Sequence, residues 1–249
     1  MGEETELRPK PMVEIGGRPI LWHIMRYYVS YGHRDFVVAL GYKGDVIRRY
    51  ATDFATLGGG HMRIDYDRRA VELTPAEDDG WSMAGWTLDL RETGPDTNTG
   101  GRIRRLREAI GGQRFMLTWG DGVADVDLDA LLAFHAAHGK LVTMTAVRPP
   151  PRFGHLQLDG DRITGFQEKP AKAEGWINGA FFVCEPGVFD LIEGDATQFE
   201  REPLERLARD GQLMAFRHEG FWQCMDTPRD KATLEALWAS GRAPWKCWN

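Results

Sequence analysis

The stretch from Arg114 to Asp127, RFMLTWGDGVADVD, limits the possible folds more than any other: a short apolar run opens directly into a loop holding three aspartates and two glycines. Phe115, Met116 and Leu117 read as a strand buried on both faces, the usual state of a parallel strand covered by helices. Gly120 and Gly122 flank Asp121. They let the backbone turn sharply and a ligand approach the main chain, while the carboxylate points into the crevice at the sheet's carboxyl edge. A hard divalent cation and a phosphate suit that place. An Asx-turn with solvated aspartates suits the same residues, since Asp and Gly dominate turns generally, and the loop alone leaves both open.

The rest of the chain supplies the layers such a strand needs. Glu3 to Pro11 is polar and contains two prolines, so it reads as an extended loop, and Pro19 opens a helix with Ile20, Leu21, Ile24, Met25 and Tyr28 on one face, ended by Gly32. Phe36 to Leu40 is a second apolar strand, followed by a helix carrying Val46, Ile47 and Tyr50. Met62, Ile64 and Tyr66 alternate as a strand, Arg68 to Gly85 reads as an inserted polar loop, and Trp86 to Leu90 alternates again. Ile103, Leu106 and Ile110 place a helix over 102–110, whose start at Thr99, Gly100 and Gly101 offers free backbone N–H groups to an anion or a carbonyl. Leu128 to His135 is a helix capped by Asp127 and ended near Gly139. Leu141 to Val147 is the next buried strand, a hairpin spans 155–166, and Trp176 to Cys184 is a further strand. Helices at 188–192 and 203–208, a strand at 213–216 and a helix at 228–239 complete the chain. This alternation predicts one α/β domain over 1–249 with a Rossmann-like, mixed but mostly parallel sheet and helices on both faces.

Composition excludes several classes of function. A net charge of −6 over 249 residues leaves no basic footprint for a nucleic acid, so any positive charge that matters is local. Cys184, Cys224 and Cys247 are odd in number and lack metal-ligand spacing, which suits reduced thiols in the cytoplasm. No apolar run reaches membrane length, and MGEETELRPKP lacks the apolar centre of a signal peptide. Lys10, held between Pro9 and Pro11, projects from a stiffened segment as a phosphate-directed charge should, although a solvated lysine reads the same. Asp226 follows another apolar segment in a polar loop, and Lys169 also stands beside a proline. Two distant carboxylates with two such lysines would suit a magnesium-bound triphosphate. Arg102, Arg104 and Arg105 add charge to one helix, and His135 reads as a partly buried helical residue.

These residues also carry a resemblance. Leu7 to Gly17, LRPKPMVEIGG, followed by Pro19-Ile20-Leu21, resembles the segment after the signature loop of the sugar-1-phosphate nucleotidyltransferases. Gly120 to Asp125, Arg152-Phe153-Gly154, Phe166 to Pro170, Ile177-Asn178-Gly179 and Trp222 to Thr227 are similar to the glucose-1-phosphate cytidylyltransferase branch, in the same order and with nearly gapless spacing. The resemblance implies magnesium, a homo-oligomer and transfer from CTP to glucose 1-phosphate, giving CDP-glucose and pyrophosphate. It implies that residues 1–150 mainly bind nucleotide and 151–249 mainly sugar. By position Asp121 and Asp226 match the metal ligands, Lys10 the lysine directed at the nucleotide phosphates, and Lys169 the one on the sugar phosphate. Glu168, Asn178 and Gly154 match sugar contacts, and Thr99, Gly100, Arg102 and Gly120 fall where the family meets the nucleotide.

One departure bears on activity. The family begins with an apolar strand and a glycine-rich loop around the phosphates, and this sequence opens just past it. The expectation is that the strands at 36–40 and 115–117 lack a shared partner, so that this length is unstable and inactive until about 13 upstream residues are restored. Two alternatives follow: an inactive relative that binds only the sugar phosphate, and a transferase using dTTP or UTP.

Overall fold

The alternation of strand and helix begins only after a short, stiff entrance. A computed structural model of the chain describes residues 8–57, 61–74, 83, 85–149, 155–159, 162–167 and 175–248. Lys10–Met12 forms one 3-10 turn, with Pro9 as its cap. β1 (Glu14–Ile15) and β2 (Arg18–Pro19) then make a minimal hairpin. Its turn residues Gly16 and Gly17 have φ of +58° and +76°, a region that favours glycine. α1 (Ile20–Ser30) follows. The expected single apolar face understates it: nine of its eleven residues are buried, because it lies between other elements on several sides.

β3 (Asp35–Leu40), α2 (Gly44–Leu57), β4 (His61–Asp65), β5 (Ala70–Thr74) and β6 (Thr87–Glu92) come next. β5 pairs antiparallel with β4, so the span expected to be wholly loop contains a strand. The helix expected over 102–110 breaks at Leu106 into α3 (Thr99–Arg105) and α4 (Arg107–Ile110). β7 (Phe115–Thr118) and β8 (Gly122–Ala124) lead into α5 (Leu128–His138). The Asp127 carboxylate accepts from the Ala130 N–H and Gly139 closes the helix in the left-handed conformation, as the residue types dictate. β9 (Val142–Val147), the hairpin of β10 (His155–Asp159) and β11 (Arg162–Gln167), and β12 (Ile177–Cys184) follow. The helix expected at 188–192 is a 3-10 segment, Pro186–Leu191. α6 (Glu202–Arg209), β13 (Leu213–His218), β14 (Trp222–Cys224) and α7 (Pro228–Ala239) end the chain.

The main sheet has the order β13-β9-β12-β7. β12 runs antiparallel to both neighbours and β13 is parallel to β9, so β7, β9 and β13 share one direction. Strands from the two halves of the sequence therefore interleave in one sheet. Its core gathers Val142, Phe182, Val188, Phe189, Phe199 and Leu207. β3 pairs in parallel with β6 as a separate two-stranded unit. Among the described residues β3 has β6 alone and β7 has β12 alone. Both strands line one cleft of about 870 Å³, together with Leu21, Ile24, Met25 and Tyr28 of α1.

Candidate active site

Part of the stretch expected to be an acidic loop pairs with the apolar segment that precedes Asp226, and this pairing builds the site. β8 and β14 form an antiparallel ribbon in the register Ala124 to Trp222 and Gly122 to Cys224. One further bond, from the Met225 N–H to the Asp121 carbonyl at 2.8 Å, extends the ribbon and brings Asp121 and Asp226 out at the same end. Lys10 arrives from the proline-flanked turn, its Nζ 2.7 Å from Asp226 Oδ1 and 3.7 Å from Asp121 Oδ2. Gly120 is where that turn comes close: a Cβ there would lie 2.7 Å from Pro11 Cγ. Three residues singled out in the sequence thus meet in one cluster, beside the cleft that Pro11, Gly120 and Asp121 help to line.

The electrostatics of the cluster follow from burial and charge. Asp121 has its pKa raised, chiefly by burial and further by Asp226, with Lys10 opposing. The Lys10 pKa is raised, first by its hydrogen bond to Asp226 and against a desolvation cost. Cys224 donates its thiol to Asp226 Oδ2 at 3.3 Å. Burial first, then this bond and the surrounding carboxylates, push that thiol up to about 12, so it is a neutral donor and no nucleophile. Behind Asp226, Asp230 accepts from the backbone N–H groups of Asp226 and Thr227, at 3.2 and 2.9 Å, and from Gln223 Nε2 at 3.1 Å. These bonds fix the loop that presents Asp226.

The start of α3 forms a carbonyl cradle, one of the two uses expected of it. The N–H groups of Gly100 and Gly101 are not free; both reach the Thr197 carbonyl, at 2.9 and 3.3 Å. The loop lies so close that a Cβ at Gly100 would be 2.8 Å from Thr197 O and one at Gly101 2.6 Å from Asp195 Cα. Thr99 Oγ1 donates to Glu200 Oε2 at 2.5 Å and accepts from the Phe199 N–H at 2.9 Å. Arg102 Nη1 serves Leu40 O, Thr93 Oγ1 and Gly94 O at 3.2, 2.7 and 2.8 Å, and its Nη2 serves Pro95 O at 3.2 Å. Burial lowers the pKa of this guanidinium. Thr99 and Arg102 still line the cleft. On β12 Asn178 Oδ1 accepts from the Ala180 N–H at 2.7 Å. Gly154, Glu168 and Lys169 lie outside the described residues.

Residues 5–238 match the nucleotidyl transferase family. The chain belongs to this family. A glucose-1-phosphate cytidylyltransferase of Salmonella typhi is 47% identical over 256 residues, spanning 100% of this chain and 95% of that protein. A probable glucose-1-phosphate cytidylyltransferase of Bacillus subtilis (strain 168) is 39% identical over 253 residues, again covering 100% and 95%. In structure the chain is similar to HddC from Yersinia pseudotuberculosis, with a TM-score of 0.65 over 92% of this chain and 90% of that one; at 21% identity this speaks for the fold. The nucleotidyltransferase fold expected from the sequence is thus the fold observed.

Sequence reading missed three residues that shape the site of this nucleotidyltransferase. Asp230 had a signal, since Thr227 three residues before an acid marks a helix start, and the reciprocal capping bonds are both present. Glu200 had none, because its partner Thr99 is far away in sequence. Trp222 stood in a quoted motif, but its indole Nε1–H is directed at the Gly179 carbonyl, at 2.8 Å, a contact only the folded chain displays.

Proposed function

We propose that this nucleotidyltransferase moves the cytidylyl group of CTP onto α-D-glucose 1-phosphate, giving CDP-glucose and pyrophosphate. The observation that carries the reading is the cluster of Lys10, Asp121 and Asp226 beside the cleft that Asp121 lines, in a chain similar over its whole length to glucose-1-phosphate cytidylyltransferases. The sugar phosphate oxygen attacks the α-phosphorus in line and pyrophosphate leaves, so the chain has to position two anions and balance their charge. No covalent enzyme intermediate is needed.

Magnesium suits the donors present. No group of three or more potential metal-ligating side chains gathers among the described residues, and magnesium is held by one or two carboxylates with water and phosphate oxygens completing its shell. Asp121 and Asp226 already converge on one cationic centre, the Lys10 ammonium. These two aspartates would hold the ion, which when bound supplies charge neutralisation to the phosphates. Lys10 and Gly120 serve the nucleotide side. Asn178, Gly154, Glu168 and Lys169 serve the sugar side, with the Lys169 charge on its phosphate. Thr99, Gly100 and Arg102 shape the nucleotide wall of the cleft through their bonds to neighbouring loops. No helix among the described residues is long and apolar enough to cross a membrane, and the reading places the enzyme in the cytoplasm as a homo-oligomer.

Pyrophosphate release, measured with glucose 1-phosphate and each of CTP, dTTP, UTP and GTP, tests the proposal. CTP should support release well above the other three. Equal or greater release with dTTP or UTP would overturn the base assignment, and calorimetric heat with glucose 1-phosphate but none with CTP would point to a sugar-phosphate binder.

A further inference from the structure

β12 changes register against β9 beside the site. Asn178 stands opposite Ala146, but the next pair is Phe182 with Met144, so Gly179, Ala180 and Phe181 share the space opposite Thr145. Bulges of this kind re-aim a side chain. This one contains Ala180 at φ +60°, a conformation that a residue with a Cβ adopts only when its surroundings impose it. Two side chains do so. Asn178 Oδ1 accepts the Ala180 N–H at 2.7 Å, and Trp222 donates its indole N–H to the Gly179 carbonyl at 2.8 Å. Gly179 has no room for a side chain, since a Cβ would lie 2.7 Å from Val147 Cγ1 and 3.0 Å from Thr145 O.

These bonds have two chemical consequences. The Ala180 N–H occupies one lone pair of the Asn178 amide oxygen and so fixes which end of the amide faces the backbone, leaving both donors of the NH2 for a ligand. A ligand that engages this NH2 offers an acceptor, such as the lone pair of a hydroxyl or phosphoryl oxygen. The hydrogen bond to Gly179 also comes from β14, the strand that leads four residues later to Asp226. The ribbon presenting the carboxylates thus holds the bulge presenting Asn178.

We propose that Trp222 is a positioning residue for the sugar side of the site: its hydrogen bond to Gly179 sets the bulge, and the bulge aims the Asn178 amide as a donor at a sugar oxygen. The inference rests on the reading of Asn178 as a sugar contact and adds how that residue is held and what it offers.

Calorimetric affinities for glucose 1-phosphate and for CTP test it in the unaltered protein, in Trp222→Phe and in Asn178→Asp. Trp222→Phe keeps an aromatic ring and removes the N–H; it should weaken glucose 1-phosphate about tenfold, the size of one good hydrogen bond, and leave CTP within about twofold. A general loss of structure would weaken both ligands together, and that result, like unchanged affinity for both, overturns the proposal. Asn178→Asp keeps an acceptor for Ala180 and removes the donors, so it should weaken glucose 1-phosphate without moving the thermal midpoint. If Trp222→Phe lowers that midpoint substantially, the Asp variant decides through deoxyglucose 1-phosphates. One hydroxyl deletion should weaken binding to the unaltered protein and cost the Asp variant nothing; additive losses for every analogue would overturn the donor role. Absence of glucose 1-phosphate binding to the unaltered protein overturns the functional reading and this inference with it, whereas tight binding that Trp222→Phe leaves intact overturns the inference alone.

Discussion

β3 and β9 are both six-residue strands, DFVVAL and VTMTAV, and β3 has the longer run of apolar side chains, yet it is the more exposed. Five of the six β9 residues are buried, but only Leu40 of β3 is, and Val37 is 36% exposed. The difference is company. β9 is paired on both edges, by β13 and β12, whereas among the described residues β3 pairs with β6 alone, and it lines a cleft. A strand's burial is set by its neighbours more than by its own composition. The same contrast divides the site. Asp121, Asp226 and Asn178 belong to the main sheet and the ribbon docked against it, while the β3–β6 unit is gripped at its carboxyl end by Arg102, reaching over from α3 to Leu40, Thr93, Gly94 and Pro95.

The largest expected effect tests whether the chemistry lies on the fully paired side. Asp121→Asn should cut turnover about a hundredfold or more, since losing a ligand that neutralises charge costs several kcal/mol, with the thermal midpoint little changed because the residue lies at a sheet edge. Near-normal turnover at saturating magnesium would move the metal elsewhere. Next comes α1, which packs against both regions. Its buried His23 bonds Ile15 O through Nε2 at 2.8 Å, and its Nδ1 accepts from Trp245 at 3.3 Å, an arrangement satisfied only by the neutral ring. Burial lowers its pKa from 6.5 to about 4. Stability present above pH 6.5 is therefore lost as pH falls from 6.5 toward 4, about 3 kcal/mol in all. Urea unfolding across that range should show the loss, and His23→Gln should flatten it; parallel curves would assign the acid sensitivity to other groups.

Arg102→Met should loosen the less braced region, destabilising the protein by about 2 kcal/mol and lowering the midpoint by roughly 4–8 °C. If the variant keeps its midpoint but loses CTP affinity, Arg102 is a nucleotide contact and its clasp on β3 is incidental. The smallest effect is the most direct test of the contrast: amide exchange in β3 should outpace that in β9 by about tenfold, reflecting roughly 1.4 kcal/mol less local protection. Equal rates would mean that the second edge of β3 is covered.

Much of this architecture was legible because its signals are local. Leu141 to Val147 and Trp176 to Cys184 are mainly apolar stretches of strand length, and Asp127 and Gly139 bracket α5 as cap chemistry requires. The ribbon was not legible. Its strands, GVA and WQC, are three residues each, too short to show a period, and they form because each finds the other about a hundred residues away. The glycines at 100 and 101 left two readings open for a related reason: a glycine pair at a helix start marks a close approach, and whether an anion or a carbonyl makes it depends on tertiary structure; here the Thr197 carbonyl does. Lys10, Asp121 and Asp226 were readable as candidates from their loops, but only the ribbon and the proline-flanked turn explain their meeting.

The bond between the Met225 N–H and the Asp121 carbonyl makes the ribbon a gauge of fixed width. Neither aspartate can retreat far from the other without opening backbone pairing, so an ion lodged between them meets a gap with little give. Magnesium holds its oxygens at about 2.0–2.1 Å and calcium at about 2.3–2.6 Å. If Asp121 and Asp226 hold the ion as proposed, their side chains alone would have to adjust to the longer calcium–oxygen distance, and the charge neutralisation the site would supply to the phosphates is set for the smaller ion. Calcium should therefore bind and block: a competitor that occupies the carboxylates and supports little turnover.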